Sequence, residues 1–105
     1  MAHYTLVGEV VRDASEAEWK SWTAGRNPTI MQTILPDTQH TVATYFLGVD
    51  ISDNPDLPMM FNTTVVAKDT LVLMWRAGNY LEASIVHDEL VRRIIRGEVL
   101  CDREI

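Results

Sequence analysis

Two apolar runs stand out along the chain, residues 42–50 (VATYFLGVD) and 59–67 (MMFNTTVVA), separated by the insert 51–58 (ISDNPDLP). Valine, threonine, tyrosine and phenylalanine suit a pleated, half-buried surface. The prolines, aspartates and asparagine of the insert favour a turn and remove backbone donors. The pattern therefore predicts two strands joined by a loop, antiparallel neighbours at the centre of a sheet. In the second run Phe61, Thr63, Val65 and Ala67 alternate with Met60, Asn62, Thr64 and Val66, so one set faces each way. Neither set is strongly polar, which places the strand inside the sheet rather than at its edge. Lys68-Asp69 reads as a tight turn, and residues 71–76 (LVLMWR) as the antiparallel partner that follows it.

The flanking segments add two helices. Residues 4–11 (YTLVGEVV) read as a first strand, with Gly8 as a bulge or a close backbone approach. Asp13 with Glu16, or Ser15 with Glu18, offers an N-cap for a helix over residues 14–24 that Gly25 ends. Trp19 and Trp22 lie on one face of it and are expected to be its apolar payload against the sheet, Trp19 mostly buried. A strand over Thr29–Leu35 stops at Pro36-Asp37. Asn79 with Glu82 resembles a capping box at the start of the best-defined helix. Ala83, Val86, Leu90, Val91 and Ile94 recur there at helical spacing as a core face. Asp88 with Arg92, and Glu89 with Arg93, are favourable i,i+4 pairs, and Gly97 ends the helix. Residues 98–105 form a short closing strand or a tail. The order is β-α-β-β-β-β-α with room for a last strand. That is an α+β fold: a mostly antiparallel sheet of four to six strands with two helices packed on one face, in a single domain over residues 1–105.

Composition narrows the classes of function. Cys101 is the only cysteine, which excludes an internal disulfide framework and a cysteine-rich zinc site. The N-terminus shows no basic stretch followed by an apolar one, so no signal peptide is expected. The longest strictly apolar run, residues 71–75, is far too short to span a membrane. A soluble protein of a reducing cytoplasm follows. The formal net charge is −6, and only Arg92, Arg93 and Arg96 cluster, which argues against nucleic-acid binding. An acidic chain instead suits a basic partner surface.

Candidate chemistry is sparse. Asp50, Arg76 and His87 each sit at or near an end of a core element and are the polar residues expected to approach one another. A carboxylate orienting an imidazole is the minimum of an acid/base pair. His87 falls in the inward stripe of the last helix, at the margin of the core, with one ring nitrogen expected to bond to Asp50 or to a main-chain carbonyl. No serine sits on a glycine-rich elbow to serve as nucleophile. His3, His40 and His87 have no metal-ligand spacing on one element, so no metal is expected. The glycines are scattered and build no phosphate-cradling loop or cofactor motif. Asp53 and Asp56 in the insert lack the alternating oxygens and closing glutamate of a calcium loop.

Taken together, Tyr4, Leu6, the Trp19/Trp22 pair, the segment VATYFLGVD, Pro58 followed by Phe61-Asn62-Thr63, and Arg76 through Tyr80 with Glu82, Ala83 and His87 resemble a family of small uncharacterised proteins encoded by bacteriophages and prophages. Two positions depart from that family: Asn62 stands where it carries a glutamate, and Ile51 where a histidine follows the aspartate. Any chemistry done by that acid and that histidine is absent from this chain. The resemblance implies a phage setting and the cytoplasm of a bacterial host, and supplies no activity. Three readings follow. The first is an accessory protein that binds and modulates a host, phage or antiviral-defence protein, in the manner of anti-CRISPR inhibitors, through electrostatic complementarity. The second is a small-ligand-binding domain or enzyme with a pocket between the last helix and the sheet near Asp50, Asn62 and His87. The third is a homo-oligomeric virion or morphogenesis component. None of them calls for direct contact with nucleic acid or a membrane.

Overall fold

The computed structural model describes residues 2–51 and 56–98. Strands β1 (His3–Val7) and β2 (Val10–Ala14) form an N-terminal hairpin, followed by α1 (Glu16–Thr23). Strands β3 (Thr29–Leu35), β4 (His40–Phe46), β5 (Phe61–Ala67) and β6 (Thr70–Ala77) make one antiparallel sheet in that spatial order, and α2 (Tyr80–Ile95) closes the described chain. The architecture is α+β, and β4 and β5 are its central, neighbouring strands, as the two apolar runs predict.

Alternation builds the covered face of the sheet. Across the β4–β5 pair, Val42 lies opposite Val65, Thr44 opposite Thr63 and Phe46 opposite Phe61, and all six are buried. On β6, Leu73 pairs with Val65 and Ala77 with Phe61, continuing the same face. Helix α2 lies on it through Ala83, His87, Leu90 and Ile94, whose spacing returns one stripe to the sheet every turn. Its Asn79 cap accepts the Glu82 amide at 2.7 Å, satisfying one of the helix's orphan donors. The core has two parts. Val42, Val65, Leu73, Leu90 and Ile94 gather near the end of α2. Phe46, Met60, Phe61, Ala77 and Ala83 gather near its start. The β5–β6 turn carries Lys68 at φ 56°, and the β3–β4 turn carries Gln39 at φ 59°.

The N-terminal third departs from expectation. The single strand over residues 4–11 is a hairpin, because Gly8, at φ 60°, opens a two-residue turn with Glu9 that folds Val10 back onto Val7. Helix α1 starts at the second of the two proposed caps: the Ser15 hydroxyl accepts the Glu18 amide at 3.1 Å and the Glu18 carboxylate accepts the Ser15 amide at 2.9 Å. No residue of α1 is fully buried. Trp19 is therefore half-buried rather than a core residue. Its indole N–H donates to the Leu47 carbonyl at 3.2 Å, and its ring lies 5.0 Å from that of His3. Trp22 meets Phe46 edge-on at 5.4 Å, which carries the hairpin and α1 onto the covered face beyond the start of α2. The segment 98–105, expected as a strand or tail, lies outside the described residues beyond Glu98.

Candidate functional site

His87 is the most buried ionisable side chain described, 3% exposed. Thr33 of β3 lies 2.9 Å from its Nε2, and Thr44 of β4 lies 2.9 Å from its Nδ1. The Thr44 hydroxyl continues to that of Thr63 on β5 at 2.7 Å. These contacts form one hydrogen-bonded chain, Thr33–His87–Thr44–Thr63, across three strands and the helix above them. A neutral imidazole carries one N–H and one lone pair, so one threonine accepts from it and the other donates to it. Burial lowers the imidazole's pKa and holds it neutral, against a smaller upward pull from the neighbouring Asp88 carboxylate.

This chain corrects the expected partners of His87, which are neither Asp50 nor a main-chain carbonyl. Strand β4 ends at Phe46, so Asp50 sits beyond the strand rather than at its end. There it accepts the Met59 amide at 2.9 Å, while the Ile51 amide donates to the Met59 carbonyl at 2.7 Å. Asp50 thus fastens the entry and exit of the 51–58 insert. A general base must reach the proton it removes, whereas both nitrogens of His87 are engaged under the helix. Both nitrogens join the helix to β3 and β4. Thr33, Thr44 and Thr63 are the residues that sequence reasoning missed. The signal for Thr44 and Thr63 was present as threonines at inward positions of VxTxF and FxTxV, while Thr33 stands between Met31 and Leu35 on the same side of its strand.

Asn62 and Arg76 point elsewhere. They are cross-strand partners, and Asn62 also pairs with Tyr45. All three belong to the alternation opposite to Phe61, Thr63 and Ala77, which puts them on the face that α2 does not cover. The sheet thus stands between His87 and the Asn62/Arg76 pair, and the described residues bring Asp50, Asn62, Arg76 and His87 to three places rather than one. The Asn62 side-chain oxygen is buried without a hydrogen-bond partner. Around it the uncovered face continues with Ala43, Thr64 and Met74, then with Ile34, Thr41, Val66 and Leu71. Exposure of Ile34 is 65%, of Leu71 52% and of Met74 40%. Among the described residues of its four strands, Arg76 is the only ionisable group of this face other than the Tyr45 phenol. Asp37 and Asp69, in the turns before β4 and β6, border its far end.

Among the concavities apart from these residues, two have mainly apolar linings. A groove of about 180 Å³ runs between β6 and α2, lined by Trp75, Ile85, Val86, Glu89, Leu90 and Arg93. A pocket of about 260 Å³ beside α1 includes Trp22, Arg26 and Phe46. In it the Arg26 guanidinium stacks 4.6 Å above the Trp22 ring and its Nε donates to the Trp22 carbonyl at 2.7 Å. Among the described residues no three His, Cys, Asp or Glu side chains gather as a metal ion requires, and no helix is long and apolar enough to cross a membrane. Comparison of the chain with family models, curated proteins and solved structures finds no match.

Proposed function

We propose that this protein is a phage-encoded accessory protein that works by binding another protein, a host or antiviral-defence component, through the uncovered face of its sheet. The observation that supports this is the face itself. It presents Ile34, Leu71 and Met74 to solvent beside Tyr45 and Arg76, residue types that serve as anchors in protein interfaces. Large apolar side chains grouped on one surface mark interaction sites more often than isolated ones do. The net charge of −6 gives the partner its chemistry: an apolar patch framed by lysine and arginine, of the kind that borders a nucleic-acid-binding groove. The enzyme or ligand-pocket reading receives less support, because Asn62 and His87 lie on opposite faces of the sheet.

The test is capture from a bacterial host lysate, identification of the captured protein, and calorimetry on the purified pair. Ile34→Glu and Met74→Glu are expected to abolish capture without lowering the melting temperature. Binding by the wild-type protein should weaken as salt is raised from 50 to 500 mM, in keeping with charge steering, on the order of tenfold. Undiminished capture by both variants refutes the proposal.

A further inference from the structure

We infer that the pocket beside α1 binds a small monocarboxylic acid, with its carboxylate on Arg26 and Asn27 and its apolar body among Trp22, Ile30, Phe46 and Leu47. The site goes beyond the preceding proposal and shares no residue with the uncovered face of the sheet. Local chain geometry builds it. The Pro28 carbonyl accepts the Phe46 amide at 2.9 Å, and the Arg26 amide donates to the Thr23 carbonyl at 3.1 Å. These bonds pin the connection from α1 to β3 against the end of β4, so the pocket is formed before a ligand arrives. The register shift between Thr29 and Met31 makes Ile30 an extra residue, and it packs together with Met31 against the cluster around Phe46. Strict alternation would send neighbouring side chains to opposite faces. A bulge re-aims one of them, and here it supplies an apolar wall.

The polar groups of the pocket choose the ligand. The Arg26 guanidinium is fixed twice, by stacking 4.6 Å above the Trp22 ring and by the bond from Nε to the Trp22 carbonyl. Its two terminal amino groups have no partner among the described residues, and they form the fork that matches a carboxylate. The Asn27 side-chain oxygen accepts the Thr29 amide at 3.0 Å, which leaves its NH₂ group as a further donor. Donors alone therefore meet the polar end of a ligand, and that selects an acceptor-only group. No acidic side chain is among the described residues lining the pocket, and one guanidinium balances one negative charge. A dianion such as a phosphate monoester would carry excess charge into a chain of net charge −6. Size narrows the body of the ligand. The volume of about 260 Å³ lies below the roughly 300–1,000 Å³ of pockets that take drug-sized ligands, which suits a single ring or a short branched chain.

The test is titration of the full, isotope-labelled chain with sodium phenylacetate, read from its amide and indole N–H resonances and by calorimetry. Binding at one site is expected, with a Kd of about 1 mM or tighter and the largest shifts at Trp22, Ile30 and Leu47. Phenylacetamide has the same shape without the charge and should bind at least about tenfold more weakly. Arg26→Gln removes the fork. Asn27→Asp keeps an acceptor for the Thr29 amide and turns the free donor into a repelling oxygen. Each should weaken phenylacetate binding by about tenfold or more while leaving the melting temperature close to that of the wild type. Arg92→Gln, an equal loss of charge on α2, is expected to bind as wild type. N-acetylphenylalanine presents the same ring and carboxylate as a peptide chain end, and should bind more weakly than the free acid. Four results overturn the inference. The first is no saturable shift at these residues up to about 10 mM phenylacetate, the outcome also expected if the chain's own residues fill the pocket. The others are equal affinity for phenylacetamide, affinity indifferent to both Arg26→Gln and Asn27→Asp, and tighter binding of N-acetylphenylalanine, which would make the pocket a site for protein chain ends.

Discussion

Replacing His87 by glutamine separates the two things the imidazole does, hydrogen bonding and refusing a proton. A glutamine amide extends about as far as Nε2 and retains a bond to Thr33, but leaves the site of Nδ1 empty. Thr44 then keeps Thr63 and loses the imidazole. A buried polar group deprived of a partner costs about 1–3 kcal/mol, and about 1 kcal/mol corresponds to 4–8 °C of melting temperature in a domain of this size. Hence His87→Gln is expected to fold and to be less stable by about 1–3 kcal/mol at pH 7.5. The pH dependence carries the sharper test. In the native protein burial depresses the His87 pKa, whereas in the unfolded chain it lies near the ordinary value of about 6.5. Below that value the unfolded chain takes up a proton that the native state resists. Stability from this group is thus complete above about pH 6.5 and is lost as pH falls toward the depressed native value, at no more than about 1.4 kcal/mol per unit. The groups facing the ring from β3, β4 and β5 are the uncharged hydroxyls of Thr33, Thr44 and Thr63, and Asp88 is the charged neighbour on its own helix. Urea unfolding followed by tryptophan fluorescence at pH 7.5 and 5.0 measures both proteins. The gap between them should shrink in acid, because the variant has no imidazole to protonate at this site. Parallel pH dependences refute the reasoning.

Thr44→Val is expected to cost more than Thr63→Val, because Thr44 bridges two partners and Thr63 ends the chain. The double variant should be no less stable than Thr44→Val alone, and additive losses in this double-mutant cycle would count against one connected chain. Gly48→Ala should destabilise by about 2 kcal/mol or more and speed exchange of the Tyr4 amide. The backbone there has φ 73°, and a Cβ would stand 2.7 Å from the Tyr4 carbonyl and against the Trp19 ring. An unchanged melting temperature would defeat that expectation.

The sheet was legible in the sequence because period-two alternation, a Lys68-Asp69 turn and the Pro36-Asp37 stop all agree with one topology. Helix α2 was legible from its cap and its stripe. The first hairpin was not, since a glycine within an apolar run reads alike as a bulge or as the first central residue of a tight turn. Parity along the strand set Asn62 apart from Thr63, and Arg76 from Ala77. Only the structure shows which of the two faces α2 covers, and that choice decides whether Asn62 and Arg76 can share a site with His87. Asp50 was misplaced by a boundary, a matter of where β4 stops. Trp19 was over-buried in expectation because α1, with eight residues, is too short to bring both tryptophans fully inside.

The hydroxyl pair beneath His87 bears on how the chain assembles. A slip of β4 against β5 by two residues leaves every side chain on its own face, so hydrophobic patterning alone does not forbid it. Such a slip would set Thr44 opposite Phe61 or Val65 in place of Thr63, and Thr63 opposite Val42 or Phe46, stranding the Thr63 hydroxyl against hydrocarbon. The imidazole arriving with α2 reads the β3–β4 alignment in turn: a two-residue slip there would put Met31 or Leu35 opposite Val42 in place of Thr33 and leave Nε2 without its hydroxyl. Docking of the last helix is therefore a gauge laid across the strands: it closes on a correctly matched sheet and rides up on a mismatched one. The step that completes the fold is thereby also the step that proofreads it.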